Sequence, residues 1–491
     1  MEKDSSMAAT LKDKAVFGMA WTAIQRYSTI FIQFVSNIIL ARLLTPYDYG
    51  CIGMLTIFMM LAQTFIDSGF GSALIQKKAP TQKDYSSIFW WNMGVAIFMY
   101  SLLFLFAPTI ARFYDIPLLS RILRVQGIIL PIYAFNIIQQ NQLRKTFHFK
   151  TLASVAIATS LVALAVTVWM AYSGFGPWAL AAQNILTAAI PAFIFWFAVK
   201  WRPSFVFSWQ SFRELFGFGF YMFMTNLINE FGIQVQGLLI GRIYNANTLG
   251  YYSKAVQSER LAATSISQII VQVTYPLYAE VQDNKEMLAG MIRRITSTLA
   301  YISFPLMFIL MLCAKPIFLI LFSERWLPSV PYFQVLCISG LALCLQSVNL
   351  HSIAAIGKSK VMFHWAMVKR GVGLCIIVGG MALYGIKGLL LADAAVSWFV
   401  FFVNIGLVSK YIGYKWWRQL KHLYPIMLTA IAALAVGYSS SVALGLSLYY
   451  DAIVRLTAYA ITYIGLSVLF RLEGFDYLKD LTFFLIRKLR K

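Results

Sequence analysis

Apolar segments of about 20 residues or more, separated by short polar connections, recur along almost the whole chain of 491 residues. A helix of about 20 residues crosses the roughly 30 Å hydrocarbon core of a bilayer. Of all residues, 60% are hydrophobic and only 12% are charged, which indicates a chain whose solvent is lipid. We predict an all-α integral membrane protein. Its fourteen predicted transmembrane helices lie near 16–42, 49–75, 85–106, 120–142, 151–172, 177–199, 214–241, 248–276, 295–313, 331–355, 361–384, 388–409, 422–446 and 452–470.

Charge in the connections predicts the orientation of these helices. An even number of helices places both termini on one side of the membrane. With that side in the cytoplasm, every inner connection is basic, whereas the outer connections at 173–176 and 447–451 contain no Lys or Arg. Because inner loops carry the excess of positive charge, we expect a multi-pass protein of the bacterial inner membrane with both termini cytoplasmic. Topology accounts for most of the net charge of +22, so no nucleic acid partner is expected.

A weak internal duplication organises the chain. Residues 239–250, LIGRIYNANTLG, match residues 39–50, ILARLLTPYDYG, and residues 385–392 match 174–181 in the same order. Parallel repeats of six helices are related by an axis along the membrane normal. We therefore predict the following division: an N-terminal lobe at 1–213, a C-terminal lobe at 214–420, two additional helices at 421–470 and a basic tail at 471–491. The polar N-terminus runs directly into the first helix, so no cleaved signal is expected.

The first predicted helix carries a polar stripe. Thr22, Arg26, Thr29, Gln33 and Asn37 follow one another at steps of three and four residues, which places them on one face of a helix. An ionised group at membrane depth costs roughly 2.5 to 3.5 kcal/mol on insertion scales and normally faces a bundle interior or a wet cavity. Arg26 and Gln33 are therefore candidate substrate-binding residues.

Other predicted helices carry polar groups at membrane depth. The further candidates for substrate binding are Gln140, Asn226, Gln234, Lys254, Gln257, Lys369 and Arg370. The candidates for ion coupling are Glu230, Asp67 and Asp393. Each has an alternative role: the amides can form hydrogen bonds between helices, Asp67 can end a helix, and the lysines and arginines near helix ends can reach lipid phosphates.

The candidate residues predict transport of an anion. Guanidinium groups bind phosphate through two parallel hydrogen bonds, and an acid near a cation in a low-dielectric site can exchange protons. No Walker loop, HExxH, GxSxG or Cys/His cluster is present in the sequence, so neither an enzyme nor a metal site is expected. No cofactor is expected other than H+ or Na+ as a coupling ion, and the five cysteines are interpreted as packing residues.

Several segments resemble the polysaccharide transporter (O-antigen/exopolysaccharide flippase) family of the multidrug/oligosaccharidyl-lipid/polysaccharide (MOP) exporter superfamily. These are ILARLLTPYDYGCIGML, DSGFGSALIQKK, GFGPWAL, CAKPIFLILFSERW and AAIGKSK, and the resemblance covers roughly residues 10–440. It implies two six-helix lobes around a central cavity and the flipping of undecaprenyl-diphosphate-linked oligosaccharides for O-antigen, capsule or exopolysaccharide assembly. The implied partners are this lipid-linked substrate, membrane lipid, and a polysaccharide polymerase with other assembly proteins.

Two other functions remain as hypotheses from the sequence. A cation-coupled multidrug exporter of the same superfamily would favour an acidic, aromatic cavity, and the interior cations count against it. A membrane-embedded glycan polymerase or transferase would require a large extramembrane loop or a carboxylate cluster, and the connections are short. The leading hypothesis is a lipid-linked oligosaccharide flippase that works by alternating access.

Overall fold

The computed structural model describes residues 2–68, 80–146, 148–442 and 448–479, together with positions 70, 74 and 77. The described chain forms two compact units, Met1–Gly250 and Tyr251–Lys491. Both units are built from helices. Most of the predicted basic tail, from residue 480 onward, lies outside the described residues.

Eight complete helices lie in the described part of the first unit. They are α1 Glu2–Leu43, α2 Pro46–Asp67, α3 Gln82–Phe113, α4 Leu118–Gln126, α5 Ile129–Lys145, α6 Phe149–Tyr172, α7 Pro177–Ala198 and α8 Trp209–Ile243. Capping boxes begin α2 and α3, because in each the N-cap threonine and the aspartate three residues later bond to one another's backbone N–H groups. Such a cap satisfies donors that the first helical turn would otherwise leave unpaired.

The connection between α7 and α8 is fastened to the first turns of α3. The Trp90 indole N–H donates to the Ser204 carbonyl at 2.9 Å, and the Ser208 backbone N–H donates to the Ser87 hydroxyl at 2.8 Å. Trp90 also stacks on Phe205, with ring centroids 5.1 Å apart. These contacts give the connection a fixed course although it has no secondary structure of its own.

Further helices follow in chain order in the described part of the second unit. They are most of α9 Ala246–Glu280, then α10 Lys285–Leu312, α11 Ala314–Leu321, α12 Ser329–Ala355, α13 Ser359–Tyr411, α14 Trp416–Val442 and α15 Leu448–Leu469, with a short 3-10 turn at Glu324–Trp326. Helix α13 is kinked at Tyr384 and Gly385, where Gly385 has a φ of 61° that a glycine adopts without steric cost. Residues of α10, α12, α13, α14 and α15 form the main buried core of this unit.

The duplicated segment has equivalent helix ends at a spacing of 200 residues. Helices α1 and α8 end at Leu43 and Ile243, and α2 and α9 begin at Pro46 and Ala246. The Asn245 carboxamide oxygen accepts the Thr248 backbone N–H at 2.9 Å, at the position where Thr45 caps α2. The matching sequence therefore encodes the same local structure twice.

Two glycines, Gly50 and Gly250, allow the first turns of α2 and α9 to cross closely. A Cβ atom on Gly50 would lie 1.8 Å from the Ala246 carbonyl oxygen, and one on Gly250 would lie 1.9 Å from the Pro46 carbonyl oxygen. Neither distance is tolerated by a real side chain. The two glycines thus make a reciprocal backbone contact that no other residue type fits.

The structure confirms the predicted all-α membrane fold. Ten helices in the described part of the chain are long and apolar enough to cross a membrane. In their described residues, all fourteen predicted segments fall on helices: 361–384 and 388–409 form the two halves of α13, and 120–142 is shared by α4 and α5. The end of segment 49–75 (69, 71–73 and 75) and the end of segment 422–446 (443–446) lie outside the described residues. Helices α1, α8 and α9, which carry the candidate residues Arg26, Glu230 and Lys254, are not among the ten. The predicted lobe boundary at 213/214 was placed from the sequence duplication, and it stays a prediction.

Candidate transport-site residues

Helix α1 presents two different exposed faces on opposite sides. Thr22 and Gln33 are exposed on the polar stripe, and Arg26 between them is half-buried. On the opposite side, Tyr27 and Phe31 are 50% and 67% exposed, and both are aromatic. A helix with one polar and one apolar exposed face suits contact with water on one side and acyl chains on the other. The stripe predicted from the sequence is therefore accessible.

Arg26 and Gln33 are the stripe residues best placed to contact a substrate. The Thr22 and Thr29 hydroxyls donate back to the carbonyls of Gly18 and Gln25, each at 2.8 Å, so the helix itself satisfies them. Among the described residues, no ion pair involves Arg26. Its guanidinium, which has five N–H donors, is available to an anion.

The predicted residues of α2 and α5 lie near the ends of their helices. Asp67 is half-buried and lies within electrostatic range of Arg144. Gln140 is half-buried, whereas its neighbour Gln139 is only 1% exposed, and neither amide atom of Gln139 has a hydrogen-bond partner in the described structure. The sequence prediction chose the more accessible of two adjacent glutamines and missed the buried one.

Helix α8 repeats the polar stripe of α1 without its cation. Asn226, Glu230 and Gln234 follow at intervals of four residues, and all three are half-buried. Their spacing places them on one face. Within the described part of the chain, Glu230 takes part in no ion pair, so it is not held as a salt-bridge partner of Arg26.

Lys254 and Gln257 were predicted on one side of the same helix, and the structure places them in different surroundings. The Lys254 side chain is 1% exposed, and its ammonium lies 4.4 Å from the ring centroid of Phe322 and 5.3 Å from that of Trp326. These are cation–π contacts. Gln257 is exposed. Lys254 therefore lies inside the second unit, packed against aromatic rings.

Lys369 lies inside the second unit and does not reach toward lipid phosphates. It is 8% exposed, and its ammonium donates to the Asn404 carboxamide oxygen at 2.9 Å. The Gln346 amide donates to the Ser397 carbonyl at 2.7 Å beside it. The first bond joins the two halves of α13 to each other, and the second joins α12 to the second half of α13. The neighbouring Arg370 is half-buried.

Asp393 belongs to a second polar group in the same unit. The Ser339 hydroxyl donates to the Asp393 carboxylate at 3.0 Å. Glu259 of α9, which is not among the residues predicted from the sequence, is 4% exposed and lies against Gly340. Its spacing on α9 does not reveal this burial, because the contact depends on a glycine on another helix.

Comparison with known proteins identifies the family. The family model described as "Polysaccharide biosynthesis protein" matches residues 39–331. The chain is 29% identical over 358 residues to the teichuronic acid biosynthesis protein TuaB of Bacillus subtilis, covering 71% of this chain and 72% of that protein. It is 25% identical over 412 residues to the succinoglycan biosynthesis transport protein ExoT of Rhizobium meliloti, covering 84% and 81%.

The fold also matches a solved membrane transporter. The structure titled "Lipid II flippase MurJ, inward closed conformation" superimposes with a TM-score of 0.74 at 14% identity, covering 93% of this chain and 99% of that one. At this identity the likeness concerns the fold alone. The chain therefore belongs to the polysaccharide biosynthesis protein family, and it is an all-α, multi-pass membrane protein.

Proposed function

We propose that this protein is a flippase that moves undecaprenyl-diphosphate-linked oligosaccharides across the bacterial inner membrane by alternating access, for surface polysaccharide assembly. Both termini are cytoplasmic in this proposal. The family and its named relatives support a role in polysaccharide biosynthesis. The single observation that carries the proposal is the exposed polar face of α1, which bears Arg26 in a helix whose opposite face is aromatic.

The chemistry of α1 fits such a substrate. A diphosphate has several oxygen acceptors in a small volume, and a guanidinium binds them bidentately. Sugar hydroxyls both donate and accept hydrogen bonds, so they suit amides such as Gln33, Asn226 and Gln234. The polyprenyl chain would remain in lipid, in contact with apolar faces such as that of Tyr27 and Phe31.

The proposed residues divide by accessibility. Arg26, Gln33 and Gln257 are exposed or half-buried and can contact a substrate directly. For Lys254 and Lys369, substrate binding stays a prediction, because both ammonium groups lie inside the second unit and would meet a substrate only after side-chain rearrangement. Gln140 and Arg370 are half-buried and remain candidates.

We further propose that transport is coupled to an ion gradient, with H+ or Na+ as the coupling ion. The sequence contains no Walker loop, so an ion gradient is the energy source that we infer. The acids that can take part are Glu230, Asp67 and Asp393, all half-buried. Acids at membrane depth commonly form proton or ion pathways.

The proposal is tested in proteoliposomes with a fluorescent undecaprenyl-diphosphate oligosaccharide. Movement of the sugar is measured as protection from an external glycosidase. Arg26→Ala should lower the initial rate about 10-fold or more, because a hydrogen bond to a charged group contributes about 1.5 to 3 kcal/mol. Arg26→Lys should retain part of the rate, since the charge remains. The matched control is Arg121→Ala, which removes an exposed arginine from α4.

Two results would contradict the proposal. A wild-type protein that leaves the oligosaccharide on its original side excludes flipping of this substrate class. An Arg26→Ala variant that transports at the wild-type rate, while present in the membrane at the wild-type amount, removes Arg26 from the substrate path.

A further inference from the structure

Glu259 is an acid enclosed in the second unit without a full set of hydrogen bonds. Its side chain is 4% exposed, and Oε1 has no hydrogen-bond partner among the described residues. Buried polar atoms are nearly always paired, so an orphan carboxyl oxygen requires a physical reason. None of the functional roles discussed above uses Glu259.

Gly340 leaves space for Oε1 of Glu259, because a glycine has no side chain. A Cβ atom on Gly340 of α12 would lie 2.8 Å from Oε1 of Glu259 and 2.9 Å from the sulfur of Met307. The adjacent residue of α12, Ser339, donates its hydroxyl to the Asp393 carboxylate at 3.0 Å. Two consecutive residues of one helix therefore contact two different acids.

The charged and titratable groups around Glu259 come from three helices. On α9 itself, Arg260 lies within electrostatic range and is exposed, and Tyr252 is buried nearby. Helix α13 contributes Asp393, and α12 contributes the thiols Cys337 and Cys344. The positive charge of Arg260 thus favours ionisation of Glu259, whereas the negative charge of Asp393 opposes it.

These surroundings favour a neutral carboxyl at Glu259. An ionised carboxylate in an apolar interior is costly unless it is paired and fully hydrogen-bonded, and two neighbouring acids resist simultaneous ionisation. Sodium would require several oxygen ligands held around the site, whereas a proton needs only the carboxyl oxygen itself.

We propose that Glu259 is a proton-binding site in the interior of the second unit, with Asp393 as its acidic neighbour. The carboxyl takes up a proton on its own oxygen and releases it to water, with no other group consumed. Only the use of this proton to drive transport rests on the proposed function. Proton binding itself can be measured without any oligosaccharide.

The test is infrared difference spectroscopy of the purified full chain in lipid nanodiscs, between neutral and alkaline pH. A protonated carboxylic acid gives a carbonyl stretching band that disappears on ionisation. We expect such a band at neutral pH in the wild type, its loss in Glu259→Gln, and its retention in the matched control Glu286→Gln, which removes an exposed acid. The band should remain in Asp393→Asn and move its midpoint to lower pH, since a neighbouring negative charge is removed.

Three outcomes would overturn the proposal. The first is a band that does not depend on Glu259. The second is loss of the band in Asp393→Asn, which assigns the proton to Asp393. The third is loss of the band when NaCl replaces choline chloride, which assigns the site to sodium. If Glu259→Gln does not fold, labelling of the wild type by dicyclohexylcarbodiimide decides instead. This reagent adds to protonated acids in apolar surroundings, so modification of Glu259 supports the proposal and its absence refutes it.

Discussion

Replacing Gly50 with alanine should destabilise the first unit, because the added methyl group would meet backbone. The new Cβ would lie 1.8 Å from the Ala246 carbonyl oxygen, whereas ordinary contact begins at 3.4 Å. The first turns of α2 and α9 would have to separate by the difference, about 1.6 Å, since neither partner is a flexible side chain. Overpacking typically costs about 1 to 3 kcal/mol, and a backbone clash belongs at the upper end.

Helix propensity acts in the opposite direction. Alanine is favoured over glycine inside a helix by about 1 kcal/mol, so the net loss of unfolding free energy should be about 2 kcal/mol. In a unit of this size each kcal/mol lowers the melting temperature by about 2 to 4 °C. We therefore expect a decrease of about 4 to 8 °C.

The assay is thermal unfolding of the detergent-solubilised protein, followed by intrinsic tryptophan fluorescence. Gly250→Ala should give a similar decrease, since its Cβ would lie 1.9 Å from the Pro46 carbonyl oxygen. The control is Gly94→Ala in α3, where a Cβ would meet nothing within 4 Å, so its melting temperature should stay equal or rise. A Gly50→Ala protein that melts at or above the wild-type temperature would show that the crossing is not tight.

Two further predictions concern the second unit. Partial burial opposes ionisation of Glu473, but the hydrogen bonds and charge of Arg293 outweigh it and hold the pKa of this carboxyl below its ordinary value. The Glu473–Arg293 pair should therefore stabilise the fold at pH values above the ordinary glutamate pKa of about 4.3. The difference in melting temperature between wild type and Glu473→Gln should vanish as the pH falls through the lowered pKa of Glu473. A difference that grows on acidification would contradict this prediction. Lys369→Met leaves the Asn404 oxygen without its donor and should lower the free energy of unfolding by about 1 to 3 kcal/mol, measured by thermal unfolding. The double variant Lys369→Met/Asn404→Leu should recover much of this stability. Unchanged stability together with lost transport would instead assign the Lys369 ammonium to substrate binding.

The sequence predicted the helices well because membrane thickness sets their length. Every long apolar segment had to be a helix, since its backbone groups find no water in the bilayer. The short α11 and the 3-10 turn at Glu324–Trp326 were missed, because elements of a few residues have neither membrane length nor a measurable period. The break between α4 and α5 was missed because only one glycine, Gly127, marks it within the predicted segment 120–142, and an isolated glycine is tolerated inside a helix.

The candidate site was predictable where helical spacing alone determines exposure. The stripe of Arg26 and Gln33 follows from a period of 3.6 residues, and the structure leaves that face accessible. The burial of Lys254 could not be predicted from spacing, because it depends on Phe322 and Trp326, which lie more than sixty positions further along the chain. Long-range packing of this kind leaves no local trace in the sequence.

The two units distribute their ionisable groups differently, and this bears on how a lipid-linked anion could be moved. The first unit carries a half-buried cation, Arg26, on an accessible polar face. The second unit keeps Glu259 and Lys369 inside, with exposures of 4% and 8%. A partly accessible cation can contact a diphosphate directly, whereas an enclosed acid changes its charge only when a proton enters or leaves. If both proposals hold, substrate binding and proton binding occupy separate residues, so Glu259→Gln should alter the pH dependence of transport while Arg26→Ala lowers its rate at every pH.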